Sequence, residues 1–191
     1  MKFYIPIKTG RIQILIPIIC FLLLPTSLLA DQFTVTEVYD GDTIKVKGYG
    51  TEIRLRLAGI DAPEICKNRM GFEQRYSKEA SEYLSHLVLN KTIEIQGHGY
   101  VNIDLMLGTV FLDGRNINLE MVQAGLAEVY RGESPKDLNL DPFFKAQLES
   151  REAKKGIWTQ GDVYVSPGVW RKKQRLRAVC AIILFGICEE R

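Results

Sequence analysis

Asp40, Asp42, Asp61 and Glu64 are four acids within 25 residues, and Arg54 and Arg56 lie between them. Asp42 follows an Asp40-Gly41 turn signal, and Asp61 and Glu64 follow an alternating stretch that ends at Leu57. Strands that neighbour one another would bring these acids to one end of a sheet. Carboxylates that close repel unless a hard cation lies among them, and Ca²⁺ takes carboxylate, carbonyl and water oxygens. Arg54 and Arg56 share a strand face because side chains alternate with period two. A guanidinium beside a carboxylate-held cation is what recognition of a phosphate requires. Each piece alone has a plainer reading. An Asp-Gly pair is ordinarily only a turn, Asp61 before Pro63 a loop acid, and Arg54/Arg56 a solvated strand face.

The elements that would position these groups are short. Phe33–Tyr39, Thr43–Lys47 and Glu52–Leu57 read as strands joined by Gly-containing turns. Thr92–Gln96 and Leu105–Leu112 read as two more, the last ending in an Asp113-Gly114 turn. Between them the period changes: Ala80, Tyr83, Leu84, Leu87 and Val88 mark one face of a helix over Ser77–Leu89, with Ser77 as N-cap. Asn118 is expected to cap a short helix through Gln123. Asp141 is expected to cap a last one to Lys155, with Ala146, Leu148 and Ala153 on its apolar side. Five strands with about three helices predict an α+β, mainly β, fold: a Greek-key barrel of the OB type.

The 191 residues are 46% hydrophobic and 25% charged, ordinary for one globular domain, which excludes a disordered chain or a many-span membrane protein. The net charge of +2 conceals a segregation. Residues 31–170 hold 16 bases against 21 acids, whereas residues 1–30 and 171–191 are net basic. Three segments follow: 1–30, a domain over 31–170, and a basic then apolar tail over 171–191. Lys2, Lys8 and Arg11 precede an apolar run from Ile12, the plan of a signal peptide cleaved after Ala30. The same residues, left uncleaved, are long enough to anchor the chain in a membrane. Either way the domain is expected in an exported compartment. Cys66, Cys180 and Cys188 remain after cleavage, enough for one pair and without zinc spacing. His86 and His98 share no metal spacing; His86 reads as a helix-surface residue and His98 as a loop residue. Trp158 and Trp170 read as packing anchors. The run Arg171–Arg177 reads as a solvated tail, or else as an arm for phosphate that offsets the acidic middle. Ala178–Cys188 is apolar but too short to span a bilayer.

Tyr39-Asp-Gly-Asp-Thr-Ile-Lys-Val46 followed by Arg56-Leu-Ala-Gly-Ile-Asp-Ala-Pro-Glu64 closely resembles the thermonuclease, or staphylococcal-nuclease-like, family. The resemblance continues through Glu79-Ala80, Asp113-Gly114-Arg115-Asn116-Ile-Asn118, Met121–Ala127 and Ala153-Lys-Lys-Gly-Ile-Trp158, and covers about residues 33–170. It implies an OB-type barrel and a Ca²⁺-dependent phosphodiesterase that cuts DNA and RNA, leaving a 3′-phosphate and a 5′-hydroxyl. Residue by residue, Asp42 and Asp61 match metal carboxylates and Ala62 a backbone carbonyl ligand. Glu64 matches the acid that orients or deprotonates the attacking water, and Arg56 matches the first of two phosphate-clamping arginines. Tyr130 lies near where the family stacks aromatic rings on a base. The departure is at the second arginine, where Leu105 stands when residues are counted back from Asp113. No arginine or lysine lies between Lys91 and Arg115. Two functions therefore stand: an exported, monomeric nuclease of reduced rate, or a metal- or nucleic-acid-binding module that has lost hydrolysis.

Overall fold

The computed structural model describes residues 32–65 and 73–185, with side chains to residue 177. Residues 1–30, with the expected signal or anchor, lie outside the described residues, as do Cys66, Cys188 and the end of the apolar run.

Five strands close into a barrel. They are β1 (Gln32–Val38), β2 (Thr43–Gly48), β3 (Thr51–Leu57), β5 (Thr92–Asn102) and β6 (Leu105–Leu112). Their order is β3-β2-β1-β5-β6, and a β3–β6 pairing joins the ends, so the edges are eliminated. That pairing is parallel, Arg54 opposite Leu105 and Arg56 opposite Leu107, while the others are antiparallel. The barrel forms because alternate residues are apolar: Val35, Ile44, Val46, Leu55, Leu57, Ile93, Val110 and Leu112 point into one buried core. Full burial of each such side chain contributes about 1.5–3 kcal/mol. This is the expected α+β barrel of OB type.

Two short strands, β4 (Ile60–Asp61) and β8 (Glu128–Val129), pair antiparallel beside the barrel and set Asp61 opposite Glu128. A two-residue β7 (Arg115–Asn116) extends β6. Helix α1 (Ser77–Val88) buries Ala80, Leu84, Leu87 and Val88, the face expected from their spacing. Helices α2 (Ile117–Gln123) and α3 (Asp141–Glu152) pack on each other, and α4 runs from Pro167 to Phe185. No helix among the described residues is long and apolar enough to cross a membrane.

The helix starts differ from expectation. Ser77 is the first residue of α1 and Tyr76 its cap, in a left-handed conformation. Asn118 does not cap α2; Asn116 does, its side chain accepting from Leu119 N–H at 3.0 Å. Asn118 is buried instead. It accepts from Val110 N–H (3.0 Å) and donates to the Ala58 and Gly108 carbonyls (2.9 and 3.1 Å), bonding the β3–β6 seam. Leu140, not Asp141, caps α3, which stops at Glu152. The buried face of α3 is Phe143, Ala146 and Ser150, while Leu148 is 59% exposed, because the register is set by Phe143 entering the core. His98 is in strand β5, not a loop. Its buried ring bridges Thr109 Oγ1 (2.9 Å) and Asp137 (2.8 Å), which ties the 133–140 loop to the barrel.

A candidate active site where the barrel meets the last helix

The site starts in the β1–β2 turn. Asp40 Oδ1 accepts from Asp42 N–H at 3.1 Å, a side-chain turn that points Asp42 inward. Gly41 makes the approach possible: a Cβ there would lie 2.7 Å from both the Ala62 and the Ala80 Cβ atoms. Asp42, 2% exposed, accepts from Thr43 Oγ1 (2.8 Å), Ala62 N–H (3.0 Å) and Arg56 Nη2 (2.9 Å). Burial pushes its carboxyl well above the usual carboxylate range, and the Arg56 guanidinium and Ala62 N–H pull it partly back.

Arg56 Nη2 also donates to Asp61 Oδ1 at 2.8 Å, so one nitrogen holds both carboxylates together. Burial pulls this guanidinium down, but Asp42 and Asp61 outweigh it and hold Arg56 above its ordinary value. The expected trio of Asp42, Asp61 and Arg56 is therefore brought together.

Arg171, from the first turns of α4, entered the sequence reading only within the run Arg171–Arg177, as a solvated tail or an arm for phosphate; it is instead on a helix and bonded into the site. Its Nη1 donates to Asp61 Oδ1 (2.9 Å) and to Glu64 Oε1, and its Nη2 to Asp61 Oδ2 (2.8 Å). The Asp61 hydrogen bonds raise its pKa further above the ordinary range. Asp61 thus receives two guanidiniums, and Glu64 is joined to Asp61 through one of them. The only sequence signal was Arg171's place at the head of a basic run, which singles it out from Lys172 in no way.

Gln74 is the second missed residue. Its Oε1 accepts from Glu64 N–H (3.1 Å), its own N–H donates to the Glu64 carbonyl (3.1 Å), and its Nε2 donates to the Val165 carbonyl (2.7 Å). One buried amide therefore fixes both the Glu64 loop and the segment leading into α4. Ser166 Oγ accepts from Val169 N–H (3.4 Å) and Pro167 opens the helix, a start suited to the chain there. The basic residues from 171 onward continue this helix.

Arg54 shares the face of Arg56 as expected, but its guanidinium lies over the Tyr39 ring, 5.0 Å from the centroid. Tyr130 lines a cleft of about 190 Å³ with Arg56, Leu107 and Val101. Its ring folds over Gly132, where a Cβ would come within 2.6 Å of it. Leu105 stands opposite Arg54, and the residue beside Arg56 is Leu107. Trp158 is buried, its indole N–H donating to Ser150 at 3.0 Å.

The donor set suits a hard cation. Two carboxylates meet within hydrogen-bonding distance of a single nitrogen, and a third is one guanidinium away. Among the described residues no three His, Cys, Asp or Glu side chains form a ready metal cage, since the guanidiniums cross-link the carboxylates. Asp42 and Asp61 would be the ligands, and Ala62 is held against Asp42 by its N–H.

Residues 54–160 match the model of the staphylococcal nuclease homologue family. A protein of Escherichia coli O157:H7 named an uncharacterized endonuclease is 35% identical over 162 residues, covering 83% of this chain and 97% of the relative. One of Haemophilus influenzae with the same name is 31% identical over 144 residues, 74% of each chain. A protein of Pyrenophora tritici-repentis named a probable endonuclease is 30% identical over 115 residues, 56% of this chain and 42% of the relative. Matched over more than half its length by the family model, and over nearly all of a relative's, the chain belongs to the staphylococcal nuclease homologue family.

Proposed function

We propose that the protein is a Ca²⁺-dependent phosphodiesterase that hydrolyses DNA and RNA, leaving 3′-phosphate and 5′-hydroxyl ends. The observation that carries this is the meeting of Asp42, Asp61 and Arg56 at one nitrogen with Glu64 alongside. The endonuclease names of the relatives support the reading. When bound, Ca²⁺ would neutralise phosphate charge and orient water. The carboxylates of Asp42 and Asp61 would hold it, with the Ala62 carbonyl as the backbone ligand.

The chain's own groups then do the rest. Glu64 accepts a proton from the attacking water as its oxygen bonds to phosphorus. The bond from phosphorus to the 5′-oxygen breaks, that oxygen takes a proton from solvent water, and the phosphate stays on the 3′-oxygen. Arg56 donates to the phosphate oxygens, whose charge grows in the transition state. Tyr130, at the rim of the cleft, stacks on a base, an interaction tolerant of base identity. Arg54, on the same strand face as Arg56, steers the backbone.

On the strand side the second cation is missing, because Leu105 stands there. With Arg56 as the only clamp, turnover would be ~10²–10³-fold slower than with two, unless another element supplies the second guanidinium. The sequence of residues 1–30 supports an exported setting, with membrane attachment where they are retained, and the protein acts as a monomer.

The test is cleavage of single-stranded DNA and of RNA with Ca²⁺ against chelator, followed by end-group analysis. Calorimetry of Ca²⁺ binding accompanies it. Cleavage that needs Ca²⁺ and leaves 3′-phosphates is expected, together with loss of Ca²⁺ binding in Asp42→Ala with Asp61→Ala. Ca²⁺ binding without cleavage would favour a binding module, the reading that Leu105 supports.

A further inference from the structure

We infer that Arg171 of α4 is the second phosphate-clamping guanidinium of the site, supplied from the C-terminal helix. This rests on the phosphodiesterase reading and extends it.

Three observations converge on Arg171. First, Arg56 Nη2 and Arg171 Nη1 both donate to the same oxygen, Asp61 Oδ1, at 2.8 and 2.9 Å. Two guanidiniums that meet at one oxygen atom are spaced to grip one phosphate group between them. Both are partly open to solvent, 22% and 28% exposed, so neither is sealed in the core. Second, the position is built. Gln74 bonds both the Glu64 backbone and the Val165 carbonyl, and Ser166 caps the helix that carries Arg171. A guanidinium on a helix so rooted loses little freedom when it binds. Third, β6 offers no alternative, and the other barrel guanidinium is engaged elsewhere: β6 sets Leu105 and Leu107 beside Arg54 and Arg56, residues 92–114 contain no arginine or lysine, and Arg54 lies over the Tyr39 ring.

Charge balance separates a clamp from a plug. Asp42, Asp61 and Glu64, one divalent cation, one phosphodiester and two guanidiniums together are neutral. Without Arg171 the same assembly carries a net negative charge, and as Glu64 takes the proton of water the negative charge gathers on the phosphate oxygens in the transition state. In the substrate-free site, Arg171 donates to Asp61 and Glu64. With substrate bound, its Nη atoms turn to the phosphate oxygens, and Glu64 is left to take the proton of water.

The experiment compares wild type with Arg171→Ala, Arg171→Lys and the neighbouring Lys172→Ala, with circular dichroism as the check on folding. Cleavage of single-stranded DNA in Ca²⁺ is followed as kcat and KM. Affinity is measured for two oligonucleotides, one ending in a 3′-phosphate, as the product does, and one in a 3′-hydroxyl. Arg171→Ala is expected to lower kcat ~10²–10³-fold with a smaller change in KM. It should also lose about tenfold of the preference for the 3′-phosphate end, while binding of the 3′-hydroxyl oligonucleotide stays as it was. Arg171→Lys should recover part of the rate, since it keeps the charge but not the two-pronged bond. It carries the test if Arg171→Ala does not fold. Lys172→Ala should match wild type. Unchanged or faster cleavage by Arg171→Ala overturns the inference, the faster rate marking the helix as an inhibitory plug. Equal affinity of wild type for both ends overturns it too. If wild type does not cleave at all, the phosphodiesterase reading fails, and the end preference alone decides whether Arg171 grips phosphate.

Discussion

The two sides of the site are built in different ways. On the barrel side, Asp42, Arg56 and Asp61 lie within 20 residues on adjoining strands and turns, and their hydrogen bonds join one nitrogen to two carboxylates. On the helix side, Arg171 reaches Asp61 from 110 positions away in the chain, and its place depends on Gln74 and the Val165–Ser166 segment. The barrel side is therefore part of what holds the fold together. The helix side is docked onto a fold already complete, and its geometry is more easily lost without unfolding anything.

The largest effect is expected where chemistry and folding coincide. Arg56→Ala leaves Asp42 buried with its charge uncompensated, and Asp61 with one guanidinium instead of two. Breaking such a buried pair costs on the order of 3 kcal/mol, discounted somewhat because Arg56 is partly exposed. The same change removes the barrel-side phosphate donor, a loss of ~10²–10³ in kcat. Denaturant melts and steady-state kinetics together check this. Retained stability with lost activity would show that Arg56 is not part of the barrel's framework and that the barrel side is no more tied to folding than the helix side.

Gln74→Ala probes the junction. It removes the acceptor for Glu64 N–H and the donor to Val165, leaving buried polar groups unmet at about 1–3 kcal/mol. Because these bonds lie outside the barrel, the loss is expected mostly as local opening of the Glu64 loop and the root of α4. We expect turnover to fall about tenfold, since a slight misplacement of positioned groups is enough to slow a reaction. Amide exchange should quicken in 164–172 and stay slow in β2 and β3. Exchange quickening equally in those strands would join the two sides into one cooperative unit.

The same division explains what could be read from the chain beforehand. Strands β2 and β3 were legible to within a residue because their alternation of apolar and polar residues is the signal that burial in a barrel imposes, and β6 because its apolar run ends in the Asp113-Gly114 turn. That Asp42 and Asp61 would lie close to the Arg54/Arg56 strand face was legible from turn chemistry and strand parity, which act over a few residues; the choice of Arg56 over Arg54 came from the family resemblance. Arg171 was not legible, because nothing local distinguishes it from the bases that follow; only the docking of α4 selects it. Asn118 was misread for a related reason. Asn116 and Asn118 are both able to cap a helix, and which one does so is decided by the β3–β6 seam, which needs Asn118's amide. His98 and Leu148 were misjudged for want of the same long-range information, the first drawn into the barrel wall by Thr109 and Asp137, the second turned outward by Phe143.

The smallest effect expected concerns Glu128, which β4–β8 pairing sets opposite Asp61. It is 2% exposed, and burial raises its carboxyl above the ordinary value, although Tyr164 O–H (2.9 Å) and Arg131 (3.0 Å) both donate to it and pull the other way. Tyr164 is itself pushed up by its burial and by that carboxylate. The sign follows from linkage. Between the ordinary carboxylate value of about 4.3 and the raised folded value, the folded state binds more protons than the unfolded chain. Stability contributed by this group is therefore greatest at low pH within that window and declines as pH rises through the folded value. Glu128→Gln keeps an acceptor for Tyr164 and Arg131 but does not titrate. Its melting temperature should match wild type near pH 4 and equal or exceed it at neutral pH, by about 1 kcal/mol or less in stability. A variant that is instead much weaker at neutral pH would show that the ionised carboxylate, through Arg131 and Tyr164, holds β8 against β4. Asp61 would then depend on a charge outside both sides of the site.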